Sequence, residues 1–400
     1  MATPENEAAY YKRGFNLKDE IKGELVGDYH SPLIEKLKAE RYTYRAGDLT
    51  IRLAQEFGFC YGVDQAVAYA YETRLKFPDR KIYLTSEIIH NPRVNHYLKE
   101  MGISFLSGGR YEGVRPEDVV LIPAFGVPVA DLEMLKAKRC ILVDTTCGSV
   151  VQVWRRVEQY AKDGFTAIVH GKFDHEETRA TCSRAASFPG GKFLVLSDLS
   201  EAEEVCAYIL KGASKARFLE KFGRVASPGF DPDRDLEKVG CANQTTMLSS
   251  ESLAVAKRFG ETMAQKYGLE ALALHFRSFD TICSATQERQ EAVLRLLEEG
   301  VDLVIVVGGF NSSNTSHLHE IAASKISAYH IEDASCILSR EAIRHKSVGK
   351  KEITVKRGWA KTGPLAIGVT SGASTPDRVT GEVIARLVEV LAGKHPETRT

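Results

Sequence analysis

Short apolar runs recur along the chain at the spacing expected of buried strands: Leu49–Leu53, Lys81–Leu84, Val119–Ile122, Ile141–Val143, Thr166–Val169, Phe193–Leu196, Val239–Ala242, Leu303–Val307, Ser327–Ile331 and Leu365–Val369. Between them, apolar residues return every three or four positions. That period predicts helices, most clearly over Val150–Tyr160, Glu291–Leu297 and Val379–Leu391. Strands alternating with helices predict an α/β protein with mainly parallel sheets. Each third of the chain also shows a strand, a cysteine-containing turn and then a helix. We divide it accordingly into an N-terminal extension (1–50), three similar α/β domains (51–147, 148–279 and 280–392) and a C-terminal tail (393–400).

Three stretches break the rhythm. Residues 1–50 are charged and weakly periodic, which predicts an amphipathic extension lying on a domain surface or on a subunit partner. Lys211–Lys238, with its Gly and Pro turns, and the basic Lys350–Gly363 read as solvated surface excursions.

Composition narrows the class. With 44% hydrophobic and 26% charged residues over 400 positions, the chain is neither disordered nor fibrous. Lys+Arg and Asp+Glu both total 53, so no overall field draws it to nucleic acid. No run of about 18 apolar residues predicts a membrane span. The acidic start Met-Ala-Thr-Pro-Glu-Asn-Glu resembles no targeting segment, so we expect a cytoplasmic, reducing setting. There, eight dispersed cysteines without a C-x-x-C pair do not form a disulfide framework, and most should be small buried hydrophobes.

Cys60, Cys147 and Cys283 differ from the rest. Each sits between a strand-like segment and the start of a strong helix, where free N–H groups and the helix dipole stabilise a thiolate. If three domains each offer one such cysteine to a common centre, the donor set suits an iron–sulfur cluster or zinc. A three-thiolate zinc site would usually recruit a histidine close in sequence, and none is present. A 4Fe–4S cluster held by three cysteines leaves one iron open. Inert buried cysteines are the plain alternative.

Polar clusters close five strands: Glu87–Pro92 with His90, His170 to Thr178 with His175, Asn243–Thr246, Gly308–Thr315 and Thr370–Pro376. Taken singly, Asn-Ser-Ser-Asn and Ser-Thr-Pro are good helix caps, with Pro376 at the first helical position, and His90 and His175 are ordinary structural histidines. Taken together they describe a lining of hydroxyls, amides and imidazoles with few Lys or Arg. Such a lining suits a compact polyanion such as diphosphate. The Gly308-Gly309 pair lacks the G-x-x-x-x-G-K-[ST] order of a nucleoside-triphosphate loop.

The wording of these clusters is specific in combination: Gly58-Phe-Cys60-Tyr-Gly-Val-Asp64, Glu87-Ile-Ile-His90-Asn91, Asp144-Thr-Thr-Cys147, His175-Glu-Glu177, Asn243-Gln-Thr245-Thr246, Ile282-Cys283-Ser-Ala-Thr286, Asn311-Ser312-Ser313-Asn314 and Ser371-Gly-Ala-Ser374. From about Leu53 to Leu391 the chain resembles the LytB-type 4-hydroxy-3-methylbut-2-enyl diphosphate reductases, in their cyanobacterial and plant-like branch. That resemblance implies three α/β domains in a trefoil around one 4Fe–4S cluster, ligated by Cys60, Cys147 and Cys283 with one open iron. It implies that His90, His175, Ser312, Ser313, Asn314 and Ser374 bind the substrate diphosphate. Glu177 would donate the proton, and Thr245 would position the substrate hydroxyl and serve the proton relay. The implied reaction is reductive dehydroxylation to isopentenyl and dimethylallyl diphosphates, the last step of the methylerythritol phosphate route. The implied partners are the small allylic diphosphate and an electron donor such as ferredoxin or flavodoxin, with a homodimer as one expected state. A proton donor working near neutral pH needs a raised pKa, which burial beside an anionic substrate would supply.

One departure stands out. Many members carry a diphosphate-binding histidine where this chain has Phe125, within Pro123-Ala124-Phe125-Gly126. His170, Lys172 or a water are the candidates to compensate. The rival readings are a quinolinate synthase-like cluster lyase or dehydratase, a non-enzymatic iron–sulfur redox sensor, and a protein with structural cysteines only. Cys241, beside Asn243-Gln-Thr245-Thr246, is the rival ligand.

Overall fold

A computed structural model describes residues 9–106, 109–279, 281–350 and 352–394. Residues 1–8 of the expected extension, 395–400 of the expected tail, and Asp280 beside the third cysteine motif lie outside the described residues. The chain forms two compact units. The first comprises Met1–Gly14, Phe77–Ile88 and Gly102–Cys283; the second comprises Phe15–Lys76, Ile89–Met101 and Ser284–Thr400.

The first unit holds two all-parallel sheets. One runs in the order Tyr10–Tyr11, Ile141–Asp144, Val119–Ile122, Ile82–Leu84, Ile103–Phe105. The other runs Phe276–Ser278, Val239–Asn243, Thr166–His170, Phe193–Leu196. In the second unit, Ser327–Ile331, Leu303–Val307, Leu365–Ser371 and Leu49–Leu53 form a parallel centre. Antiparallel strands extend both sides of it: Thr43–Ala46 on one, and Ala342–Lys346, Ile337–Ser339 and Ile353–Arg357 on the other. The class is therefore α/β with mainly parallel sheets.

All ten expected strands are present, with ends within two residues of the expected ones. Val119–Ile122, Thr166–His170, Phe193–Leu196, Val239–Asn243 and Leu303–Val307 are buried along their whole length. Burial on both faces is why they read as unbroken apolar runs. Strands that the pattern misses lie toward sheet edges; Ile353–Arg357, for one, exposes every residue. The expected helices also appear, slightly longer, as Gly148–Lys162, Ser284–Glu298 and Asp377–Ala392. Pro376 is the N-cap of the last rather than its first residue. Among the described residues no helix is long and apolar enough to cross a membrane.

Several expectations are corrected. Part of the extension is integral to a core: the helix Lys18–Tyr29 buries only Ile21 and Tyr29, but the next helix goes further. Ser31 caps the helix Pro32–Ala39, and its Leu33, Ile34 and Leu37 enter the same core as Val383, Ile384 and Leu387. Fully burying side chains of this size contributes roughly 1.5–3 kcal/mol each, so this helix belongs to the second unit energetically as well as spatially. Lys211–Lys238 is not a solvated excursion, because Phe218, Phe222, Phe230 and Leu236 sit in the core with Val205, Val239 and Phe259. Phe218 and Phe222 lie on the short helix Lys215–Phe222, too brief to show a period, and Phe230 and Leu236 flank the shorter Pro232–Asp235. Lys350–Gly363 contains a real strand, and its Trp359 is buried with Nε1 donating to the Ser339 carbonyl at 3.1 Å. Finally, Leu49–Leu53 pairs with Leu365–Ser371, in register from Leu49 opposite Leu365 to Leu53 opposite Val369. It thus shares a sheet with the C-terminal third, not with the strands that follow it in sequence.

Candidate active site

The eight thiols fall into two groups. Cys60, Cys147 and Cys283 are half-buried, whereas Cys140, Cys182, Cys206, Cys241 and Cys336 are buried. Cys60 immediately precedes the helix Tyr61–Lys76, Cys147 is the N-cap of Gly148–Lys162, and Cys283 immediately precedes Ser284–Glu298. Burial pushes the Cys140 thiol up to about 11 and raises Cys182, Cys206 and Cys241, so these four resist forming thiolates. Cys241, the rival ligand, packs in one core cluster with Cys206.

The first unit holds five of the expected residues, four of them in one chain of contacts. Thr166–His170 and Val239–Asn243 are parallel neighbours with His170 opposite Asn243, so the turns beyond them lie side by side. From the first turn, His175 caps the helix Glu176–Ala186, its Nδ1 accepting the Glu177 N–H at 3.2 Å. From the second, Thr245 donates its backbone N–H to Glu177 Oε1 at 2.6 Å and its hydroxyl to Oε2 at 3.0 Å. Glu177 is only 2% exposed, so both carboxyl oxygens are oriented by Thr245 away from bulk water. The Cys283 N–H reaches the Thr245 carbonyl at 3.4 Å, and the Cys147 N–H reaches that of Ala124 at 2.8 Å.

Phe125 belongs to the same array. Its ring meets His175 edge-on, with centroids 6.0 Å apart and planes at 77°. The adjoining Gly126 has φ +74°, and a Cβ there would strike the Trp154 ring at 2.3 Å. His170 is poorly suited to replace the histidine missing at Phe125. It is buried, its Nδ1 lies 2.8 Å from Ser252 Oγ, and burial pushes its pKa down to about 4. It is a neutral core residue. Lys172 is exposed.

The second unit assembles the other six. Leu303–Val307 and Leu365–Ser371 run parallel with Val307 opposite Ser371, which brings their turns together. Ser312 caps the helix Ser313–Ala323, accepting from the Thr315 N–H at 3.3 Å, so the plain capping role is real. Ser374 Oγ lies 3.4 Å from Ser312 Oγ and 3.3 Å from the His90 carbonyl, and Asn311 Nδ2 lies 3.4 Å from His90 Nδ1. Asn314 Oδ1 accepts the Ala373 N–H at 2.9 Å, and the Cys60 N–H donates to the Ala373 carbonyl at 3.2 Å. Ser313 is 5% exposed, and among the described residues its Oγ has no hydrogen-bond partner. A buried hydroxyl left unsatisfied costs about 1–3 kcal/mol, which a ligand oxygen would recover.

Sequence reasoning misses Arg289. It is buried on the helix Ser284–Glu298, where its guanidinium donates to the carbonyls of Gly58 at 2.9 Å and Phe59 at 3.2 Å. It thereby holds the turn that carries Cys60. Because its partners are backbone oxygens remote in sequence, no motif announces it.

Comparison with known proteins shows the family. The family described as LytB protein matches residues 51–388. A 4-hydroxy-3-methylbut-2-enyl diphosphate reductase of Gloeobacter violaceus is 49% identical over 390 residues, spanning 95% of this chain and 92% of the relative. The enzyme of the same name from Thermosynechococcus vestitus is 50% identical over 383 residues, spanning 94% of each. Among solved structures, an (E)-4-hydroxy-3-methyl-but-2-enyl diphosphate reductase, called the terminal enzyme of the non-mevalonate pathway, is similar with a TM-score of 0.50 and 29% identity. That match covers 85% of this chain and 99% of the other. The E-1-hydroxy-2-methyl-but-2-enyl-4-diphosphate reductase from Plasmodium falciparum, at 22% identity and TM-score 0.61, shares the fold over 84% of this chain and 87% of its own.

Proposed function

The chain belongs to the LytB family, and from that membership we propose how its residues divide the work of a reductive dehydroxylation. The enzyme is an iron–sulfur oxidoreductase. It removes the hydroxyl of (E)-4-hydroxy-3-methylbut-2-enyl diphosphate to give isopentenyl and dimethylallyl diphosphates, at the end of the non-mevalonate route. Each turnover takes up two electrons and two protons and releases one water.

The observation that carries the residue assignment is the buried Glu177–Thr245 pair. A carboxyl group whose two oxygens face a threonine N–H and hydroxyl is held in one orientation, ready to pass a proton to a departing oxygen. Thr245 positions that oxygen and extends the relay through its own hydroxyl. His175 in the first unit, and His90, Ser312, Ser313, Asn314 and Ser374 in the second, bind the diphosphate. As hydrogen-bond donors they gain roughly 1.5–3 kcal/mol for each bond to a charged oxygen. The orphaned Ser313 hydroxyl is the clearest invitation to such an oxygen.

The donor set also fits a 4Fe–4S cluster. Cys60, Cys147 and Cys283 would hold it, being the three thiols left half-accessible and the three placed at helix starts, where the dipole favours thiolate. When bound, the cluster supplies single electrons and Lewis acidity at its open iron. A ferredoxin- or flavodoxin-type carrier delivers the electrons.

The test is a cysteine series purified without oxygen, with iron and sulfide counted. Cys60→Ser, Cys147→Ser and Cys283→Ser should each lose the cluster, while Cys206→Ser and Cys241→Ser keep it. A full iron count in any of the first three would remove that residue from the ligand set. Consumption of reductant during turnover separates this reaction from a redox-neutral lyase.

A further inference from the structure

The turn that carries Ser312, Ser313 and Asn314 is held from behind by residues that no part of the chemistry above uses. His330 is the penultimate residue of the strand Ser327–Ile331, and Lys346 ends Ala342–Lys346. They are antiparallel partners in direct register, so their side chains leave the same face of the sheet. His330 Nε2 lies 3.0 Å from the Gly308 carbonyl, and Lys346 Nζ donates to the Phe310 carbonyl. Glu332, just beyond the strand, accepts the Phe310 N–H at 3.4 Å, and the Phe310 ring packs on His330 with centroids 5.3 Å apart.

The turn needs such support because its backbone is unusual. Gly308 has φ +154°, and a Cβ there would fall 2.5 Å from Thr315 Oγ1. At Gly309 a Cβ would fall 2.6 Å from the His90 carbonyl oxygen. Two consecutive glycines let the backbone take a path that no side chain would fit.

We infer that His330 and Lys346 are positioning residues, which brace the Gly308–Ser312 turn so that Ser312, Ser313 and Asn314 present their donors to the diphosphate. This rests on the reading that the turn binds diphosphate. His330 is buried and its pKa is pushed down to about 3, so the ring is neutral and donates its single N–H to the Gly308 carbonyl. Lys346 donates its ammonium to a carbonyl of the turn's backbone. Together the two residues fix the oxygens on either side of Gly309.

The experiment measures KM, kcat and inhibition by inorganic diphosphate for the cluster-loaded enzyme and four variants, with thermal melting of each. His330→Leu and Lys346→Met should raise KM and the diphosphate inhibition constant in parallel, by roughly 5- to 100-fold, the loss expected for one buried hydrogen bond. The change in kcat should be far smaller. His330→Gln, which can offer an amide N–H to the same carbonyl, should recover most of the loss. Lys346 is only half-buried, so Lys346→Met decides the matter if His330→Leu fails to fold. Ser313→Ala separates the two layers of the argument. If it leaves KM unchanged, the diphosphate reading of the turn falls. If it raises KM while folded His330→Leu or Lys346→Met does not, or if those variants lose kcat instead, the brace is overturned.

Discussion

The turn from His170 to Glu177 in the first unit and the turn from Gly308 to Asn314 in the second use one backbone device for two chemistries. Each leaves the carboxyl end of a fully buried parallel strand, passes a glycine packed too tightly for a side chain, and opens a helix capped by a proposed site residue, His175 or Ser312. Each also has a buried neutral histidine nearby, His170 hydrogen-bonded to Ser252 and His330 to the Gly308 carbonyl. What differs is the neighbouring strand end. In the first unit it delivers Thr245 to a carboxyl group; in the second it delivers Ala373 and Ser374 to amides and hydroxyls. A strand-to-helix turn therefore prepares a polar corner, and the adjoining strand end supplies the partners met there, Thr245 for Glu177 in the first unit and Ala373 and Ser374 for Asn314 and Ser312 in the second.

The contrast is open to attack on both sides. The largest effect should come from Glu177→Gln, which keeps the shape of the first turn but removes its acid. Turnover should drop by about 10²–10⁴-fold, the range for general acid–base catalysis, while iron content and KM stay near the parent values. Near-parental turnover in an anaerobic assay would mean that the first turn moves no proton.

A smaller effect concerns the histidines behind the turns. An unfolded chain protonates His170 below its ordinary 6.5, whereas the folded protein resists until about 4. Between those values the unfolded state binds the extra proton, so stability present above pH 6.5 is lost as pH falls toward 4, by up to ~1.4 kcal/mol per pH unit. His330, held down to about 3, acts in the same direction. Urea titrations across that window should show a shallower acid limb for His170→Asn than for the parent. Equal slopes would contradict a buried neutral imidazole at this position.

Ser313→Ala should give the smallest change, and its sign is the informative part. Diphosphate affinity should weaken by roughly 5- to 30-fold, in keeping with one hydrogen bond to a charged group, yet the melting temperature of the ligand-free protein should not fall. Removing a hydroxyl that has no partner costs the fold nothing. A clear drop in melting temperature would recast Ser313 as structural.

Much of this architecture is legible before any coordinates. Buried strands announce themselves because both faces are covered, and one helix start because Ser312, within Asn311-Ser312-Ser313-Asn314, is a local capping choice. The cysteine triplet is legible by position too, since each member abuts a helix start. Edge strands such as Ile353–Arg357 are not, because exposure erases their apolar signature, nor are the core aromatics Phe218 and Phe230 in a stretch dominated by turn residues.

What the sequence by itself determined was the alternation of strands and helices, the residues that open each helix, and the family wording of its turns. All of these are set within a few positions of the chain. Only the tertiary structure decided that Thr245 meets Glu177 from 68 residues away, that Arg289 holds Gly58 from 231, that Phe125 lies against His175, and that Leu49–Leu53 joins the last third of the molecule. Those pairings depend on strand order and register, which arise when separate apolar faces are buried together and which no local pattern of residues encodes.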